Sequence, residues 1–250
     1  MIYAISNHKG GVGKTTSTVN IGAALALKNK KVLLVDFDPQ ANLTQSLGVG
    51  VKDIEISIYE NLKGEKMISP IECKKNLYLL PSTLDLAGAE NELANETGRE
   101  FILQDILNKI KDKYDYVLID CQPSLNFLTI NAFTAANYVI IPMQAEYLAL
   151  RGLAKLTEVI SKIQQRLNVD LKIACVFLTR FDSRKILNRD VGASIKEFFN
   201  EKFFDSAISS NIALAEAPSQ GKDIFSYNKE CRGAKDYMKL VDEMINKKVF

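Results

Sequence analysis

The segment "SNHKGGVGKTTS", residues Ser6 to Ser17, constrains this chain more than any other. It joins an apolar run, Ile2–Ser6, to a helical pattern, Lys14–Lys28. Gly10, Gly11 and Gly13 free the backbone to take positive φ and to aim N–H groups at an anion. Val12 lies among them, and Thr16 adds a donor at the helix start. Lys14 and Thr15 follow at the spacing of a phosphate-binding loop: the lysine reaches terminal phosphates and the hydroxyl is offered to Mg²⁺. A strand feeding such a loop and then a helix belongs to a parallel sheet, because parallel strands need a long crossover. One position departs from the usual pattern. Where its first glycine should stand there is His8, the only histidine, followed by Lys9. Two ammonium groups in one loop repel unless dense negative charge lies nearby, which a triphosphate supplies. Taken alone, Lys9 would read as a solvated surface residue.

The remaining pattern fits that architecture. Strands are expected at Val32–Asp36, Leu77–Leu80, Tyr116–Asp120, Tyr138–Pro142 and Ile173–Thr179, several of them apolar throughout, as strands covered on both faces should be. Helical patterns lie between them, at about Glu100–Asp112 and Leu125–Ala136, at Arg151–Leu167 and at Val191–Asn200. The alternation gives an α/β fold: a single doubly wound, mostly parallel sheet with helices on both faces, over residues 1–250 as one domain. Near the C-terminus, Tyr237, Leu240, Val241, Met244 and Ile245 recur at helical spacing. They read as a closing helix packed on the sheet; a membrane-surface helix would want a stronger basic face.

Composition excludes several classes. Apolar residues at 47% and charged residues at 25% suit a globular core. A net charge of +2 permits contact with nucleic acid or anionic lipid without arguing for either. The four cysteines, Cys73, Cys121, Cys175 and Cys231, form no Cys-x-x-Cys pair, so no zinc or redox site is expected. No apolar run is long enough to span a membrane, and no leader is recognisable. The expected compartment is the cytoplasm. The loop's strand begins at residue 2, so no preceding helix-turn-helix extension, and no operator binding through one, is expected.

Two further segments bring acids toward the loop. "VLLVDFDPQ" ends a strand on Asp36 and sets Asp38 two residues on, so alternation points both carboxylates one way, past the carboxyl edge where doubly wound sheets bind ligands. By itself Asp-Pro could equally be a turn. "YDYVLIDCQPS" runs apolar residues into Asp120, as does a strand whose acid holds Mg²⁺ through water.

Residues Lys9 to Thr16 resemble the deviant phosphate loop of the ParA/MinD ATPases, and "VLLVDFDPQANLT" resembles its ParA/Soj partition branch. The resemblance spans nearly the whole chain. It implies an ATPase with ATP and Mg²⁺ as ligands, in which Lys9 crosses an ATP-bound homodimer to the partner's nucleotide. It implies that Asp38 positions the hydrolytic water, with Asp36 accessory near the Mg²⁺ held by Thr15 and Asp120. His8 stands where glutamine is common and reads as permissive. Gln122 replaces a frequent proline, which implies a less rigid segment after Asp120.

"FLTRFDSR" matches the segment approaching the base, through Thr179 and Arg180. "ISSNIALAEAPS" matches a run commonly reading Ile-Pro-Arg-Asn-Val-Arg-Leu-Ser-Glu-Ala-Pro-Ser, which places Ser209 and Asn211 at the nucleotide. Ser209 and Ser210 replace Pro-Arg there, and Ala213 replaces the later arginine. The family holds non-specific duplex DNA on basic residues of this face; those left are Arg184, Lys185, Arg189, Lys196 and Lys202, interrupted by four acids. A solvated mixed face is the competing reading. The function implied is chromosome or plasmid partition with slow hydrolysis stimulated by a ParB-like centromere-binding partner, associated with the nucleoid. A MinD-like membrane cycle and a small-molecule ATP-dependent ligase are the alternatives.

Overall fold

The computed structural model describes residues 1–146 and 149–250, with the backbone alone for Ala149, Leu150 and Arg151. Its strands are β1 (Ile2–Ile5), β2 (Val32–Phe37), β3 (Ile71–Lys74), β4 (Leu77–Leu80), β5 (Tyr116–Cys121), β6 (Tyr138–Gln144) and β7 (Lys172–Thr179). They form one sheet in the order β3-β4-β2-β5-β1-β6-β7, parallel except for the β3–β4 pair. The longer helices are α1 (Lys14–Leu27), α5 (Ile102–Asn108), α6 (Phe127–Ala135), α7 (Ala149–Arg166), α8 (Ile186–Phe199) and α11 (Arg232–Asn246). Short helices intervene: α2 (Asn42–Ser46), α3 (Ile58–Leu62), α4 (Ala89–Glu92), α9 (Ala213–Glu216) and α10 (Ile224–Asn228).

Period-two alternation divides the sheet between two cores. Ile2, Ala4, Leu33, Val35, Val117 and Ile119 face a layer that includes α5, α6 and α7. Tyr3, Ile5, Val32, Leu34 and Leu118 face α1 and α11. The expected strands are therefore present, each within a residue or two of its reading, and both faces are covered. Three helical readings shift. The pattern at Glu100–Asp112 is α-helical only over Ile102–Asn108, with 3₁₀ turns on either side. The Val191–Asn200 helix begins five residues earlier, at Ile186. Ile245 does not share the buried stripe of Tyr237, Leu240, Val241 and Met244 but is 36% exposed. At 100° per residue it falls about 80° from Tyr237, on the edge of that face.

That buried stripe matters to the reading of the C-terminus. Val249 and Phe250 pack on the same core; the Tyr3 hydroxyl donates to the Val249 carbonyl, and the Phe250 ring meets Tyr3 and Tyr116 edge-on. The apolar face of α11 is thus occupied within the fold. Among the described residues no helix is long and apolar enough to cross a membrane.

Behind α2 the chain crosses the turn that precedes α10. Gly48 and Gly221 both take positive φ, +77° and +60°, and a Cβ on Gly221 would lie 2.5 Å from the Gly48 Cα. Backbone meets backbone there, with no flexible side chain to give way. Gly221→Ala should therefore cost about 2–4 kcal/mol, combining left-handed strain with overpacking. In calorimetry the melting temperature should fall by roughly 5–15 °C. Gly64→Ala provides the comparison, since Gly64 also has positive φ (+71°) but open space around it. Equal losses in the two variants would show that the close approach at Gly221 constrains nothing.

Candidate functional site

The loop between β1 and α1 is held by its carbonyls. The Lys14 ammonium donates to the Lys9 carbonyl (3.2 Å), the Gln144 amide to that of Gly11 (2.8 Å) and the Thr179 hydroxyl to that of Val12 (2.8 Å). The Asn7 amide ties the loop's start to the Pro142 carbonyl, and its oxygen accepts the Lys9 N–H. The backbone N–H groups of Gly10, Gly11, Val12 and Gly13 find no acceptor among the described residues. Gly11 and Gly13 take positive φ, +75° and +86°, which turns these donors outward. Gly10, Gly11, Gly13, Lys14, Thr15 and Thr16 line a cavity of about 630 Å³. The rest of its lining includes Thr179, Arg180 and the Ile208–Ile212 segment.

Lys14 is only 7% exposed, and burial lowers its pKa although Asp120 opposes the shift. Its single acceptor is a neutral carbonyl, so a buried cation is left short of negative charge. Behind it the balance reverses. Asp36 and Asp120 are register partners on β2 and β5, both fully enclosed. Burial raises both pKa values, Asp38 adds to the rise at Asp36 and Asp36 to that at Asp120, while hydrogen bonds pull them back. Asp120 accepts the Thr15 hydroxyl at 2.6 Å and the Thr18 hydroxyl at 3.1 Å. Asp36 accepts Thr44 through its N–H (2.8 Å) and hydroxyl (2.6 Å), and the Asp38 N–H (3.3 Å).

The two aspartates of "VLLVDFDPQ" therefore part company. Asp38 lines the cavity with one oxygen accepting the Gln40 N–H at 2.9 Å, while Asp36 lies behind the wall and anchors α2. The same side was expected for both; the chain leaves the strand after Phe37, so the alternation stops between them. Thr15 lies on the surface of the cavity and Asp120 directly behind it. No cluster of three or more metal-binding side chains occurs among the described residues. This is the donor set of a cation that keeps several waters and binds partly through phosphates, as Mg²⁺ does. Two buried carboxylates set against one ammonium leave negative charge that a divalent cation would offset.

Lys9 takes a different course from Lys14. It is absent from the cavity wall; its ammonium pairs with Glu146 after β6, with the side chain 41% exposed. His8 lies against α7, where its ring leaves no room for a side chain at Gly152. Ser209 and Asn211 line the cavity, and so do Asn42, Ser46, Pro123, Ser210 and Tyr237, which were not anticipated. Asn42 and Ser46 share one face of α2 at i and i+4, a spacing visible once α2 is recognised. Gln122 is held by a bond from its amide to Asn126 (2.6 Å), which in turn donates to Glu90 (3.1 Å).

On the flank, Arg184 forms two bonds of 2.9 Å with Asp182, and Lys196 pairs with Asp205 at 2.7 Å. Lys185, Arg189 and Lys202 have no carboxylate partner among the described residues. The basic surface is thinner than its residue count.

A family model described as an AAA domain matches residues 1–173. The chain is 46% identical over 246 residues to the sporulation initiation inhibitor protein Soj of Bacillus subtilis, with 97% of each chain covered. It is 45% identical over 242 residues to the chromosome-partitioning ATPase Soj of Treponema pallidum, covering 96% of this chain and 94% of that one. Among solved structures it resembles a cobyrinic acid a,c-diamide synthase from Mycobacterium smegmatis with bound ATP analogue and magnesium. There the TM-score is 0.87 at 37% identity, over 98% of this chain and 94% of the other.

Proposed function

The chain belongs to the ParA/Soj family of chromosome-partitioning ATPases, and we propose that it acts as an ATP-gated dimerisation switch that binds DNA non-specifically. The carrying observation is the division of labour in one loop: Lys14 faces the cavity beside four unpartnered N–H groups, while Lys9 faces away from it. Lys14 and the loop N–H groups would hold the triphosphate. Thr15, with Asp120 behind it and Asp36 further back, would hold Mg²⁺, whose chemistry is to neutralise charge on the transferring phosphoryl group. Thr179, Arg180, Ser209 and Asn211 would bound the base and ribose. Asp38 is the remaining carboxylate in the cavity and would orient the attacking water. Lys9, released from Glu146, would reach the nucleotide of a second copy. A ParB-like centromere-binding protein would stimulate the slow hydrolysis that dissolves the dimer.

Lys9→Ala should retain nucleotide affinity within about threefold, because this lysine touches nothing in its own cavity. Light scattering with ATP should nonetheless find it monomeric where the wild type doubles in mass. A Lys9→Ala protein that dimerises like the wild type would refute the switch. The cations available for DNA on this flank would be Lys185, Arg189 and Lys202, six per dimer. The slope of log affinity against log salt should be no steeper than about −5.

The name of the solved mycobacterial relative supports a second reading, ATP-dependent amidation of a small acid. Turnover that needs such a metabolite and ignores DNA would favour it.

A further inference from the structure

α11 carries two adjacent side chains that hold separate elements of the cavity. Asp236 accepts the backbone N–H of Ser209, a lining residue, at 2.8 Å. Tyr237, buried and part of the wall, has its hydroxyl 3.0 Å from that of Ser17 on α1, the helix that the phosphate loop opens. Few other hydrogen bonds tie the segment beginning at Ile208 to the rest of the fold, though Ile208 itself is buried in the core. Ile208 bonds to the end of β7 and the loop beyond, through its N–H to Leu178 (2.8 Å) and its carbonyl from Phe181 (3.0 Å). Past Ser209, the next bond is local, from the Ala213 N–H to the Asn211 side chain.

We propose that Asp236 is a positioning residue for nucleotide binding: by holding Ser209, it sets the distance between the wall that receives the base and the loop that receives the phosphates. This rests on the reading of the cavity as an ATP site. The bond exists because residue 209 has an N–H to give, which a proline there would lack. Asp236 itself is absent from the cavity wall, so its influence passes through the backbone of Ser209. Ligands with a base should feel its loss, and a bare chain of phosphates should not.

The test compares ATP with inorganic tripolyphosphate by titration calorimetry on the full chain. Asp236→Ala should weaken ATP about tenfold, the cost of losing one hydrogen bond to a carboxylate, and leave tripolyphosphate affinity unchanged. Asp236→Asn keeps an acceptor and should bind ATP within about twofold of the wild type. In turnover assays the Asp236→Ala defect should appear in KM, with kcat retained at saturating ATP. In a Ser209→Pro background, Asp236→Ala should change nothing further. The proposal fails if Asp236→Ala binds ATP like the wild type, if it loses both ligands alike, or if Asp236→Asn is as weak as alanine. A wild type that binds ATP no better than tripolyphosphate would overturn the base wall itself. A wild type that binds neither would overturn the ATP reading, a result the single variants cannot mimic.

Discussion

A Lys14→Ala protein should bind neither ATP nor ADP at concentrations that saturate the wild type. The ammonium is enclosed on folding and receives one neutral carbonyl in exchange for its hydration, so it is poised for an anion. Losing a charge-assisted bond to phosphate and the Coulomb attraction around it should cost about 3–5 kcal/mol, or roughly two to four orders of magnitude in affinity. Thermal shift separates this from misfolding. Without ligand the variant should melt close to the wild type, since the lost ammonium made no bond to a carboxylate. With ATP at about 100 times the wild-type Kd, the wild type should gain about 2.7 kcal/mol and the variant nothing. An unchanged ATP-induced shift in Lys14→Ala would remove the lysine from the site.

The second large effect concerns the two aspartates that the chain sets side by side. Asp38→Ala should bind ATP normally and hydrolyse it at least about 10² times more slowly, the scale of losing a positioned general base or water-orienting group. It should accumulate as an ATP-bound dimer. Asp36→Ala should fail differently. Its removal leaves the Thr44 N–H and hydroxyl and the Asp38 N–H without their acceptor in the interior, so stability falls first, by about 2–4 kcal/mol. Denaturant melts alongside single-turnover hydrolysis distinguish the two. Wild-type turnover in Asp38→Ala would show that another group orients the water.

These expectations show which parts of the site a sequence can reveal. The phosphate loop was legible because its function is local: glycines, lysine and threonine act within a few residues of one another. The strands were legible because β1, β2 and β5 are buried on both faces and read as unbroken apolar runs. The β3 strand was not, because "IECK" is short, half-buried and carries charges on an edge, as edge strands do. The split between Asp36 and Asp38 was hidden because it depends on Thr44 returning from α2 to claim the first. Asp236 and Tyr237 were hidden for a similar reason. Their partners Ser209 and Ser17 are 27 and 220 positions away, and no periodicity links them.

The sheet order also bears on how the molecule comes into being. β1 carries the phosphate loop, and in the sheet it lies between β5 and β6, which follow it by more than 100 residues. The Ile2 N–H waits for the Asn137 side chain, 135 positions later. At ribosomal speeds of roughly 5–20 residues per second, that interval is of the order of 10 s. Through most of it β1, apolar on both faces, has no neighbour to pair with, because β5 is made only at Tyr116–Cys121. Nascent chains shorter than about 140 residues should therefore recruit chaperones and lack any nucleotide site, although the whole loop has already been synthesised.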